Sequence, residues 1–155
     1  MNSKILKETG FADFIPLKEL SLLKMPKNEG HVFVLIDQTL SENPASDILY
    51  IGKAKKPAKK ILGGYIAGSG GKSVKKIHDK LFNNGLVETI SISWMASANP
   101  KTTQKELLEK FKSEHGDYPT WNSPPKQAAT PKSKPKSAKP VATRKPKSKK
   151  IQKPA

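Results

Sequence analysis

The sequence predicts a small α+β domain, with helices flanking a three-stranded antiparallel sheet, followed by a disordered basic tail. Three short runs rich in apolar, β-branched and aromatic residues indicate the strands, and segments with helical periodicity lie between and after them. This mixed order is typical of an α+β domain. Residues 123–155 have no periodic apolar face, so they cannot bury enough surface to fold.

The first two strands are expected over residues 31–37 and 48–51, which read HVFVLID and ILYI. Turn-forming residues between them predict a loop, and the simplest arrangement is an antiparallel pair. Gly52 is expected to let the backbone turn away, which places Lys53 just past the edge of the sheet.

The third strand is expected within residues 86–95, where apolar and polar residues alternate. A proline suits the first turn of a helix, and Pro57 and Pro100 each stand at the start of a helical pattern. Gly63-Gly64 is expected to end the helix that begins at Pro57. The predicted helices are residues 17–24, Pro57 to about Leu62, residues 73–82, and a last helix from Pro100 to before Gly116.

Charge is distributed unevenly along the chain. Lys and Arg number 29 against 13 Asp and Glu, which gives a formal net charge of +16. Eleven of the basic residues and none of the acidic ones lie in residues 123–155, so the other 18 leave only +5 for residues 1–122. The tail therefore carries most of the excess, and such a balance favours a polyanionic partner.

The composition also excludes some kinds of chemistry. The chain has no cysteine, so disulfides, thiolate metal ligands and a cysteine nucleophile are excluded. No apolar run approaches the roughly 20 residues of a membrane span, and the segment MNSKILKETG lacks the apolar core of a signal peptide. We therefore expect a soluble intracellular protein with no membrane partner, in the cytoplasm or nucleoid, or in the nucleus of a eukaryote.

Tyr50-Ile51-Gly52 closes the second strand, and the first strand opens with His31-Val32-Phe33. This pair resembles the defining motif of the GIY-YIG nuclease superfamily, with a degenerate first half. The order of strands and helices over residues 25–122 is similar to the core of that superfamily. The resemblance implies a GIY-YIG-like domain over residues 25–122, preceded by an N-terminal cover at 1–24 and followed by the tail at 123–155.

The resemblance also implies catalytic positions. The arginine of the family's first helix falls at Lys60, and the tyrosine of its first half falls at Phe33, whereas Tyr50 keeps the second tyrosine. The family's closing asparagine corresponds to Asn122, and His78 is a further polar residue on which activity could be built. For Tyr50 and His78 the simpler interpretations are a half-buried strand tyrosine and a polar-face helix residue.

In the family a metal-binding glutamate precedes an apolar triplet, which corresponds to residues within 107–111 and puts Gln104 at the metal position. A neutral amide is a poor anchor for a divalent ion. In another helix register Glu106 or Glu109 would be the ligand, although Glu106 lies about 200° round the helix from Gln104.

Three substituted positions, Phe33, Lys60 and Gln104, favour a catalytically weakened or inactive protein that binds DNA or RNA and needs no cofactor. The alternative is an active endonuclease that uses Mg²⁺ or Mn²⁺ to hydrolyse phosphodiester bonds. A third interpretation is a structural chromosome-associated protein.

The tail repeats Pro-Lys-Ser three times, and its composition is similar to the tails of linker histones. Its lysines would neutralise phosphates and release counterions, whereas an anionic membrane or another polyanion is the alternative ligand. The glycine-rich loop before Lys72 would also approach a phosphate closely. The predicted nucleic-acid-binding residues are Lys53, Lys60, Lys72, Lys75, Lys76, Lys132, Lys134, Lys136, Lys145, Lys147, Lys149 and Lys150.

Overall fold

The computed structural model describes residues 1–26, 29–40, 46–55 and 58–124. Met1–Pro124 form one compact unit. The seven tail lysines predicted to bind nucleic acid lie outside the described residues. The helices and strands are α1 (Ser3–Glu8), β1 (Ile15–Pro16), β2 (His31–Asp37), β3 (Ile48–Ala54), α2 (Ala58–Ala67), α3 (Lys72–Asn83), β4 (Ile90–Ala96) and α4 (Pro100–His115).

The strands form an antiparallel sheet in the order β1-β4-β2-β3, which confirms the α+β class. The predicted strand count of three is one too few, because Ile15 and Pro16 pair with β4. A two-residue strand has no periodicity to detect. Its edge position tolerates Pro16, which has no N–H to donate to the sheet.

Strand β3 continues to Ala54, so the expectation that the chain turns away at Gly52 is wrong. Gly52 lies opposite Phe33 in β2, and a Cβ atom on Gly52 would lie 2.3 Å from Cζ of that ring. The glycine therefore makes room for an aromatic ring within the sheet. The pairing also slips by one residue between Leu35 and Ile36, which leaves Leu49 as a bulge.

The core lies on both faces of the sheet. All seven residues of β2 are buried. Alternate residues, such as Phe33 and Leu35, pack with α2 and α3, whereas Val32 and Val34 pack with α1 and α4. The first 24 residues thus contribute a strand and part of the core.

Helix α2 runs through Gly63-Gly64 to Ala67, so the prediction that these glycines end it is wrong. A Cβ atom on Gly64 would lie 2.5 Å from the carbonyl oxygen of Ser69, which shows that this glycine permits a close backbone approach. The chain leaves the helix at Gly68, whose φ of +65° is left-handed.

Two other predicted elements differ in type. Leu17–Leu22 and Leu86–Glu88 are 3-10 helices, so the third predicted strand begins only at Ile90. Gly85 precedes the second of these turns with a left-handed φ of 64°, which prevents an extended start. No helix among the described residues is long and apolar enough to span a bilayer.

Candidate functional site

A groove of about 420 Å³ lies between α3 and the segment that follows α4. We call it the α3 groove. None of its lining residues among the described part of the chain is acidic. The lining residues are Tyr50, Lys72, Ser73, Lys76, Ile77, Lys80, Thr120, Trp121, Asn122 and Ser123.

One wall of the α3 groove is an amphipathic helix. Ile77 and Leu81 are buried against the sheet, which fixes the rotation of α3 about its axis. Lys72, Lys76 and Lys80 are four residues apart, so they form one row with steps of about 6 Å along the helix. The sequence predicts the helix through its periodicity.

The opposite wall, which contains Trp121 and Asn122, is hydrogen-bonded to the outer edge of β3. The backbone N–H of Trp121 donates to the carbonyl oxygen of Leu49 at 2.9 Å. The side chain of Asn122 accepts from the N–H of Ile51 and donates to its carbonyl oxygen, both at 2.9 Å. The side chain of Asn122 therefore makes the two hydrogen bonds that a neighbouring strand residue would make to Ile51, and this positions the adjacent Trp121.

Gln104 meets Asn122 at the same point of β3. Its Nε2 donates to the carbonyl oxygen of Ile51 at 2.9 Å, and its Oε1 accepts from Nζ of Lys53 at 2.6 Å. Both polar atoms of the amide are thus used within the protein. Lys53 is exposed beside α4 and does not line the α3 groove.

Tyr50, which lines the groove, belongs to a cluster of three aromatic rings. The ring centroids of Phe33, Tyr50 and Tyr65 are 6.1–6.4 Å from one another. Burial raises the pKa of Tyr50, and a hydrogen bond with Tyr65 partly offsets this rise. Burial and the neighbouring Tyr50 raise the pKa of Tyr65. Both hydroxyls are therefore neutral near pH 7.

Tyr65 is absent from the sequence-based set. Its ring centroid lies 6.1 Å from that of Phe33, the residue at which the resemblance expects a tyrosine. The sequence does contain a pattern that would have indicated Tyr65 as part of the core. Tyr65 follows Ile61 and Leu62 at i+4 and i+3, which is helical spacing. That spacing has meaning only if α2 continues through the two glycines.

His78 connects two helices and lies outside the groove lining. Its Nδ1 is 2.8 Å from the carbonyl oxygen of Tyr65, one of the last carbonyls of α2. Its ring lies 4.5 Å from that of Phe82, and a Cβ atom on Gly68 would be 2.9 Å from its Nε2. These contacts fit a role in helix packing.

Two other predicted nucleic-acid-binding residues lie outside the α3 groove. Lys60 on α2 and Lys75 on α3 are exposed and do not line the groove. The groove instead adds Lys80 and Trp121, which are absent from the predicted set. Lys80 continues the four-residue spacing of Lys72 and Lys76, so periodicity would have found it.

The acidic residues do not suit a metal site. Glu106 and Glu109 are exposed, and Oε1 of Glu109 accepts from the hydroxyl of Tyr118 at 3.0 Å. Within the part of the chain that the structure describes, no group of three or more His, Asp or Glu side chains is placed to hold a metal ion. Gln104, where the resemblance expects the metal ligand, has a neutral amide whose Oε1 accepts from Nζ of Lys53, so it does not suit a divalent ion.

Comparisons of the chain with protein-family models, with curated proteins and with solved structures give no match. The chemistry of the α3 groove therefore provides the basis for a function.

Proposed function

We propose that this protein binds DNA or RNA through the α3 groove, as a GIY-YIG-like protein whose catalytic positions no longer support cleavage. The observation that carries the proposal is the row formed by Lys72, Lys76 and Lys80 in a groove without an acidic lining residue among those described. Neighbouring ammonium groups repel one another, so such a row favours an anionic ligand.

A polymer of phosphates suits the row better than a single small anion. Three lysines at steps of about 6 Å cover about 12 Å along the helix, which exceeds the size of one phosphate. Two aromatic residues, Tyr50 and Trp121, line the same groove. Basic residues beside aromatic rings are typical of nucleic-acid-binding surfaces. The 11 basic residues of the tail would add affinity that does not depend on sequence.

The contacts of Gln104 and Tyr50 favour binding without cleavage. The amide of Gln104 is occupied by Ile51 and Lys53. The raised pKa of Tyr50 disfavours a phenolate that would accept a proton from water. The alternative, an endonuclease dependent on Mg²⁺ or Mn²⁺, would need a carboxylate from outside this arrangement.

Binding to labelled oligonucleotides tests the proposal, with fluorescence anisotropy as the readout and the full chain as the protein. Lys76→Gln removes one charge from the row, and we expect it to weaken binding roughly 3- to 10-fold and to lower the salt slope by about 1. Lys105→Gln is the matched control, because Lys105 is exposed on α4 at the other face of the sheet. Equal effects of the two variants would refute the groove as the interface.

Two additions complete the experiment. Lys60→Gln shows whether the binding surface extends to α2. Incubation of nicked, branched, duplex and single-stranded substrates with Mg²⁺ or Mn²⁺ tests the alternative function, and we expect no cleavage. Metal-dependent cleavage that disappears in Tyr50→Phe would establish the endonuclease instead.

A further inference from the structure

We propose that the α3 groove receives unpaired nucleotides of a single strand, with a base stacked on Trp121. This inference rests on the proposed function and specifies its ligand. It follows from the size of the groove, the support of the Trp121 ring and the position of Lys80.

The size of the groove suits a nucleotide rather than a duplex. Its volume of about 420 Å³ is in the range of small-ligand sites. In a duplex the bases are stacked on one another, and only the phosphate ridges would reach the lysine row. In a single strand the bases are free to turn toward a ring inside the groove.

Trp121 is a supported platform. Its ring is half-buried and lines the groove, its backbone N–H is bonded to Leu49, and its neighbour Asn122 is bonded twice to Ile51. An aromatic ring that is already held in position loses little conformational freedom when a base stacks on it. Stacking of this kind accepts every base, since each has a π face.

Lys80 places a cation next to this platform. Its Nζ lies 5.9 Å from the centroid of the Trp121 ring, in cation–π contact. A base that takes this face of the ring displaces the ammonium group, which is then free to pair with the adjacent phosphate. The steps of the lysine row are close to the separation of successive phosphates in an extended strand. One nucleotide would therefore stack its base on Trp121 and pair its phosphate with Lys80.

The chain has two tryptophans, which makes the contact measurable. Trp94 lies on β4 with its ring edge-to-face against His31 and does not line the groove. Trp94→Phe leaves Trp121 as the single indole, and Trp121→Phe leaves Trp94. The probes are an oligothymidylate of about 12 nucleotides, within the site sizes of known single-strand-binding folds, and a duplex of equal length. Tryptophan emission and anisotropy are recorded on the full chain.

We expect the single strand to quench the emission of the Trp94→Phe protein and the duplex to bind without quenching it. The Trp121→Phe protein should show no quenching by either probe. Trp121→Leu should weaken binding of the single strand about 5- to 10-fold and leave binding of the duplex unchanged. Because the first measurement keeps Trp121, it stays decisive even if Trp121→Leu fails to fold.

The failures are distinguishable. If neither probe binds, the proposed function is wrong, and this inference is wrong with it. If both probes bind and the single strand leaves Trp121 emission unchanged, this inference alone is wrong. Quenching of Trp94 in the Trp121→Phe protein would place the single strand elsewhere and would also overturn the inference.

Discussion

At the scale of single residues, two predicted site residues, Gln104 and Asn122, bind the same backbone atom, the carbonyl oxygen of Ile51. It accepts hydrogen bonds from Nε2 of Gln104 and Nδ2 of Asn122, each at 2.9 Å. A carbonyl oxygen has two lone pairs, so both bonds are satisfied. A carboxylate at position 104 would instead face this oxygen with a like partial charge. The amide therefore joins α4 and the groove wall to one strand.

His31 is a second residue with an unusual environment. It is fully buried in β2, its ring lies 5.1 Å from that of Trp94, and neither ring nitrogen has a hydrogen-bond partner among the described residues. Burial lowers the pKa of His31, and the charge of Glu29 partly offsets this effect. The folded protein therefore holds the neutral imidazole.

This burial predicts a loss of stability in mild acid. Because the folded-state pKa of His31 is lowered, the unfolded chain binds the proton more readily, and the free energy of unfolding should fall as the pH drops through about 6.5. Urea unfolding at about pH 7.5 and 5.5 measures the fall, and we expect His31→Phe to reduce it. Since His78 and His115 are present in both proteins, equal pH dependence in the two would contradict the prediction.

At the scale of elements, the ends of α4 follow local rules. The side chain of Asn99 accepts from the N–H of Thr102, Pro100 occupies the first turn, and Gly116 ends the helix with a φ of +82°. Gly68 ends α2 in the same way, with a φ of +65°. The two central glycines of α2 face different surroundings, and only one of them has a packing role.

The two glycines of α2 provide a matched pair of variants. A Cβ atom on Gly63 would have nothing within 4 Å, so Gly63→Ala should raise the free energy of unfolding by about 0.5–1 kcal/mol. A Cβ atom on Gly64 would meet the Ser69 carbonyl oxygen at 2.5 Å, so Gly64→Ala should lower it by about 1–3 kcal/mol. Urea unfolding measures both. A rise in the free energy of unfolding for both variants would show that α2 does not approach the loop closely.

At the scale of the whole molecule, the sheet has a core on both faces and is protected at both edges. Strand β1 is short and contains Pro16, whereas β3 is covered by the side chains of Gln104 and Asn122. Such features prevent further strand pairing. Asn122 also lines the α3 groove, so its contacts with β3 serve both the sheet and the candidate site.

The charge distribution predicts a division of binding between the compact unit and the tail. If about half of the 11 basic tail residues contact phosphates, they contribute about −5 to the slope of log affinity against log salt. Removal of residues 125–155 should therefore flatten the slope while the preference for a single strand remains. Titrations of the full and shortened chains at several salt concentrations measure both, after circular dichroism confirms folding. An unchanged slope would refute the role of the tail.

The sequence by itself determined the features that depend on neighbouring residues. Apolar runs rich in β-branched and aromatic residues indicated β2 and β3, alternation indicated β4, helical periodicity indicated α3 and α4, and composition set the tail apart. The tertiary structure alone decided which distant residues meet. Trp121 reaches the groove because Asn122 bonds to Ile51, Tyr65 joins Tyr50 because α2 continues through Gly64, and Ile15 adds a strand by pairing with Ile92. These contacts depend on packing between segments far apart in the chain, which no local pattern encodes.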